Sequence, residues 1–219
     1  MSVNDDRVTA AGDRPLAAEA TSAAAVSPIA DPAPLGLAAF ALTTFLLSAA
    51  NAGWMTKASG DAWLGYAFAY GGFAQLLAGM WEFRNKNVFG ATAFGTYGAF
   101  WIGLGLWAEL VAPSIKVASV ANHDLAWILL SFAIFNTYML IASTMVNTAV
   151  FAVFLTLEVT EILLFVGNFD GSSGLVKTGG YVGLVTALVA WYTSAAGVMN
   201  GHLGRTLVPV GSPFVKARI

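Results

Sequence analysis

The chain contains no cysteine, which excludes disulfides, thiolate nucleophiles and sulfur-ligated metals. Charge is almost as scarce. Asp, Glu, Lys and Arg make up 10% of the 219 residues, against about 25% in a soluble globular domain. So few charges could not keep a surface of this size in water. The net charge of −2 argues against a nucleic-acid partner. Only two histidines occur, His123 and His202. Both are expected in loops, so no metal centre is expected within the apolar part of the chain, and no cofactor is expected.

What the sequence does have is apolar length: 58% of its residues are hydrophobic. Residues 1–30 form a tail rich in Ala, Ser and Asp, without an apolar stretch long enough for a signal-peptide core. This tail is expected to be disordered. Six apolar runs follow, at Leu35–Ala52, Trp63–Trp81, Phe89–Val111, Leu125–Ala142, Thr148–Val166 and Gly179–Met199. Each has the length of a membrane-spanning helix. Backbone in lipid must satisfy its own hydrogen bonds, and runs this apolar do not suit the alternating strands of a barrel. The expected fold is an all-α integral membrane protein, a channel-like bundle of six transmembrane helices over residues 31–211, followed by a short tail at 212–219.

Six spans put both termini on one side. That side carries Arg7, Arg14, Arg84, Lys86, Arg205, Lys216 and Arg218, and the other carries Lys57, Lys116 and Lys177. The excess of positive charge places the termini in the cytoplasm of a multi-pass plasma-membrane protein. No Lys or Arg falls within an expected helix. That excludes a retinal Schiff base, which needs a buried lysine. No nucleophile–base pair or metal cluster suggests an enzyme.

Polar residues at membrane depth are costly and face protein or water. On the first helix, Phe40, Thr43, Thr44, Leu47 and Asn51 recur at helical spacing. On the second, Gly71, Gly72, Gln75, Ala78, Gly79 and Glu82 do the same, the small residues permitting close helix approach. The threonines have two open readings: hydrogen bonds to their own helix carbonyls, or contact with a polar path. Gln75 is harder to explain as packing, because its amide has four hydrogen-bonding sites to satisfy. Composition and periodicity stop at a polytopic protein with a partly polar interior.

Four motifs go further. DPAPLGL at 31–37 resembles the N-P-A-P-L-G-L signature of the acetate uptake transporter family, which includes the bacterial succinate–acetate permeases. YGGFAQLLAGMWE at 70–82, NVFGATAFGTYGAFW at 87–101 and GRTLVP at 204–209 are similar to further blocks of that family. The resemblance implies a six-helix protomer that assembles into a homo-hexamer in the bilayer, each protomer with its own path. It implies transport of acetate and other small carboxylates, succinate among them, either with protons or as a passive channel. A non-transporting sensor or scaffold on the same fold stays open. The family's narrowest point maps to Phe40, Tyr97 and Leu157. An apolar ring there would meet the methyl group of acetate, while Tyr97, Thr43, Thr44, Asn51 and Gln75 could donate hydrogen bonds to its carboxylate. Without a fixed cation, such binding stays weak enough for release.

Asp31 departs from the family's usual Asn. It serves as a helix cap nearly as well but adds negative charge at that mouth. Glu158 and Glu161 occupy positions that are commonly uncharged in the family. At about 100° per residue, Glu161 lies about 40° from Leu157 and Glu158 about 100°. Glu161 is therefore expected to share the path and Glu158 to face a neighbour. Desolvation and a like charge one turn away favour the neutral acid, so at least one of the pair is expected to hold a proton; both are candidates for proton coupling, Glu161 the first of them. The alternative is that the pair only tunes selectivity or packing. Glu82, followed by Arg84 and Lys86, is expected in a surface ion pair, its place in the family block leaving a functional role as the alternative, and Glu109 is expected at the interface with water.

Overall fold

A computed structural model of the chain describes residues 29–56 and 61–215. The expected disordered tail, apart from its last two residues, and Lys57, Lys216 and Arg218 lie outside the described residues. The first helix, α1 (Ala33–Asn51), opens where Asp31 Oδ1 accepts from the Ala33 N–H at 2.9 Å. Asp31 thus satisfies one of the free donors of the first turn. The second span is not one regular helix. It runs as α2 (Ala62–Phe68), a π-helical stretch Ala69–Ala74 and α3 (Gln75–Arg84). The widened turns carry Gly71 and Gly72, as such bulges often do at functional sites.

Helix α4 (Val88–Leu106) is capped by Asn87, whose side chain accepts from the Gly90 N–H at 3.1 Å. It loosens into a π turn at Trp107–Val111 and a 3₁₀ turn at Ala112–Ser114 containing Pro113. Helices α5 (Ala118–Ser143), α6 (Thr148–Phe169, capped by Asn147) and α7 (Ser173–Leu203, capped by Ser172) complete the bundle. Gly204, at φ +63°, ends α7 in the left-handed conformation that glycine adopts without penalty. By length and composition α1, α5, α6 and α7 can each cross a membrane. The second span is divided by its π stretch, and α4 is diluted by five glycines. Six membrane helices result, as the apolar runs imply.

The sequence misplaces some details. Helix α5 starts seven residues before its apolar run, and α7 extends beyond its run at both ends. Both histidines therefore lie in helices and not in loops. His123 sits in the second turn of α5, its Nε2 2.9 Å from the Phe169 carbonyl, and His202 sits in the last turn of α7. Lys177 is likewise inside α7, though exposed in its second turn. Hydrogen bonding within a helix outlasts the apolar run that crosses lipid, so helices continue into the headgroup zone.

The helices close into a ring: α1 packs on α7, α7 on α6, α6 on α5, α3 on α4, and the second span on α1. Helices α4 and α5 meet through aromatic rings, Tyr97 against Phe135 at 5.3 Å and Phe100 against Phe132 at 4.5 Å between centroids. Small residues set the tight crossings. A Cβ at Gly79 would lie 2.6 Å from the Gly95 backbone nitrogen, so α3 and α4 touch backbone to backbone. Large apolar side chains such as Phe73, Ile134, Ile141 and Leu188 point outward, as lipid or a neighbouring subunit requires. The chain after α7 folds back as a strap. Tyr192 OH donates to the Pro209 carbonyl at 2.5 Å, Ala149 N–H to Val210 at 2.9 Å, and Phe214 N–H to Thr144 at 2.9 Å.

Candidate functional site

Two cavities lie within the helix ring. The larger, about 90 Å³, opens between the start of α1, the α3–α4 turn and the α5–α6 turn. The smaller, about 40 Å³, lies toward the end of α1 and the C-terminal half of α6. Each exceeds the roughly 10–15 Å³ needed to hold one water. The two cavities have three lining residues in common: Phe40, Tyr97 and Leu157. Each of these is over nine-tenths buried, and the Phe40 and Tyr97 rings meet edge to face at 5.8 Å. Three helices, α1, α4 and α6, thus contribute one side chain each to an apolar septum.

The polar atoms follow the same division. Among the described residues, five buried side-chain polar atoms lack a hydrogen-bond partner: Thr44 Oγ1, Gln75 Oε1, Glu82 Oε1, Trp101 Nε1 and Glu161 Oε2. All five belong to residues lining a cavity, Gln75 and Glu82 the larger, Thr44, Trp101 and Glu161 the smaller. Buried polar groups are ordinarily paired. Five such groups, all on cavity-lining residues, leave hydrogen-bonding capacity unmet on each side of an apolar divider.

The remaining candidates fall into three groups. Asn51 borders the smaller cavity. Thr43 borders neither. Its hydroxyl donates to the Ala39 carbonyl one turn back at 3.1 Å, and its side chain packs where Gly71 leaves room. Of the two threonine readings, back-bonding describes Thr43, and Thr44 is the one facing open space. Glu161 is 4% exposed and lines the smaller cavity, whereas Glu158 is half-buried and turned to α5. Glu158 accepts from Asn136 Nδ2 at 2.6 Å and from Thr137 Oγ1 at 2.9 Å.

Two expectations need correction. Tyr97 does not offer its proton to the cavities: its hydroxyl donates to Asn136 Oδ1 at 2.9 Å. Glu82 is not in a surface ion pair. It is 1% exposed, no Lys or Arg among the described residues reaches it, and its Oε2 accepts from Asn87 Nδ2 at 3.0 Å. The helix turns Glu82 inward, while Arg84 and Lys86 face outward. Asn136 went unnoticed in the sequence. It is wholly buried, and it bonds Tyr97 of α4 as well as the Phe154 carbonyl and Glu158 of α6. A lone amide within SFAIFNTYML was the available signal, since an amide at that depth must find partners. No cluster of ligating side chains suited to a metal occurs among the described residues.

Residues 15–212 match the family model described as the GPR1/FUN34/yaaH family. The chain is 39% identical over 207 residues to acetate permease A of Emericella nidulans, covering 86% of this chain and 70% of that protein. It is 40% identical over 180 residues to ammonia transport outward protein 2 of Saccharomyces cerevisiae, covering 80% of this chain and 64% of the longer yeast protein. It is 35% identical over 184 residues to the succinate-acetate/proton symporter SatP of Escherichia coli K12, covering 84% of this chain and 96% of that one. Among solved structures, that of the bacterial acetate channel SatP superposes with a TM-score of 0.76 at 32% identity, covering 84% of this chain and 99% of the other.

Proposed function

We infer the function from one premise: the chain belongs to the GPR1/FUN34/yaaH family, a family of acetate and succinate transport proteins and not of enzymes. On that basis the protein carries acetate and related small carboxylates across the membrane. The path runs through the protomer from one cavity to the other and is narrowest at Phe40, Tyr97 and Leu157. The observation that carries this reading is that these three residues are the ones the two cavities have in common.

The division of labour follows from solvation. A carboxylate leaving water for an apolar septum loses hydration worth several kcal/mol or more. A neutral acid loses far less. Thr44 and Trp101 offer hydrogen-bond donors beside the septum, and Glu161 offers a carboxyl group at the same cavity. When Glu161 is protonated it donates to the arriving carboxylate, and transfer of that proton leaves neutral acid and a carboxylate side chain. Substrate and proton then cross together. Neither cavity is lined by Lys or Arg, so nothing holds the anion permanently. Assembly as a homo-hexamer with cytoplasmic termini belongs to the same proposal.

A passive channel is the second reading. It is favoured by the relative whose solved structure is described as an acetate channel. Labelled-acetate uptake by purified protein in liposomes, with and without a pH gradient, separates the two. Accumulation driven by the gradient supports coupled transport, equilibration alone supports the channel, and absence of uptake favours a sensor or scaffold.

A further inference from the structure

We propose that Glu82 and Gln75 form a second carboxyl-recognising site, across the septum from Glu161, that accepts a small carboxylic acid in its undissociated form. The site deepens the transport reading and rests on it for the identity of the substrate class.

Its geometry is well defined. Glu82 and Gln75 are each 1% exposed and line the larger cavity. They are seven residues apart on α3, which places them on one face, about 10 Å apart along the helix axis. Glu82 lies at the α3–α4 end, and Gln75 two turns toward the septum. Asn87 does two things with one side chain: its Oδ1 caps α4, and its Nδ2 holds Glu82 Oε2. Glu82 Oε1 is left without a hydrogen-bond partner, packed into the space over Gly90, where a Cβ would lie 2.6 Å from that oxygen.

Chemistry then selects the occupant. The two unpartnered atoms, Glu82 Oε1 and Gln75 Oε1, are acceptors. A carboxylate has no proton to give them, whereas a carboxylic acid has one. A primary amide is also the natural complement of an undissociated acid, its carbonyl accepting the acid O–H while its N–H donates to the acid carbonyl. The charges nearby agree. Asp31, before α1, is the other acid acting on Glu82. Asn87 and Gly90 face it from α4, and Val146 and Val150 line the cavity from the α6 side. Arg84 and Lys86 are exposed, and among the described residues neither pairs with a carboxylate. An anion would therefore enter an acceptor-lined, negatively biased site. The acid therefore enters with its proton already bound: its O–H donates first to Glu82 Oε1 and then to Gln75 Oε1, and no O–H bond breaks on the way. A carboxyl group then stands on each side of the septum.

Infrared difference spectra of the full chain in lipid nanodiscs, taken with carbonyl-labelled ¹³C acetate, separate bound acid from bound carboxylate. Wild type is expected to show an acid-form carbonyl band. Glu82→Gln, which keeps an acceptor for Asn87, and Gln75→Leu are each expected to lose most of it, while Glu161→Gln retains a band from this cavity. A wild-type spectrum with carboxylate bands alone, or an acid band untouched by both variants when they unfold thermally like wild type, overturns the site. The liposome flux assay keeps the two proposals apart. Flux without an acid band removes the site and leaves transport standing. An acid band dependent on Glu82 without flux supports the site and removes transport.

Discussion

The Tyr97 hydroxyl donates to Asn136 Oδ1 at 2.9 Å across the α4–α5 contact, and the same asparagine donates to Glu158 at 2.6 Å and to the Phe154 carbonyl at 3.0 Å. One buried amide thereby ties the septum tyrosine to the helix that carries Leu157. It also turns the only polar atom of that ring away from the cavities. Replacement by leucine leaves the buried tyrosine proton unpaired, at about 1–3 kcal/mol, and takes one donor from Glu158. Asn136→Leu is expected to lower the unfolding temperature of the purified protein and to weaken discrimination between acetate and larger polar solutes. Thermal unfolding and competition uptake assays check both effects.

Phe40 stands between the two cavities, and its ring closes against Tyr97 at 5.8 Å. Phe40→Ala joins them into one passage. Acetate flux is expected to rise, and carboxylates larger than acetate are expected to pass with it. Comparative uptake of labelled acids of increasing length measures the change, and an unaltered size preference would remove Phe40 from the constriction.

Neighbouring threonines are expected to behave oppositely. Thr44 Oγ1 is unpartnered beside the smaller cavity. Thr43 is spent on the Ala39 carbonyl and on packing against Gly71. Thr44→Val is expected to weaken apparent acetate affinity by about tenfold, the equivalent of one hydrogen bond at about 1.4 kcal/mol. Thr43→Val leaves affinity near wild type. Concentration-dependent uptake by the two variants is the comparison.

Glu161 fixes the expected direction of pH dependence. If its proton accompanies the substrate, entry falls as the pH on its side of the membrane rises and the proton is lost. Glu161→Gln is permanently neutral. Uptake by this variant is expected to lose that fall, with no gradient-driven accumulation. Initial rates over a pH series test it, and a profile matching wild type assigns coupling to another group.

The α3–α4 hairpin shows how far sequence reading reached. Its existence was legible in two apolar runs broken at Asn85–Asn87, and Gln75 stood out as an amide at membrane depth. The inward turn of Glu82 was not legible, because two basic neighbours made an ion pair the ordinary expectation. Asn87 decides the matter by holding one carboxylate oxygen, a contact made only once the turn has closed. Asn136 shows the same limit. Its helix was evident, but its partners lie 18, 22 and 39 residues away in the chain.

The sequence by itself determined that the chain crosses a membrane on six helices, and where most of them lie. Backbone in lipid must complete its hydrogen bonds locally, so a long apolar run has one structural solution. The family motifs likewise needed no coordinates. Only the tertiary structure decided which polar atom answers which, which threonine faces space and where the cavities divide. In lipid the outside of a helix is as apolar as its inside. The hydrophobic contrast that marks a buried face in water is therefore absent, and the facing neighbour must be known before a side chain's role can be read.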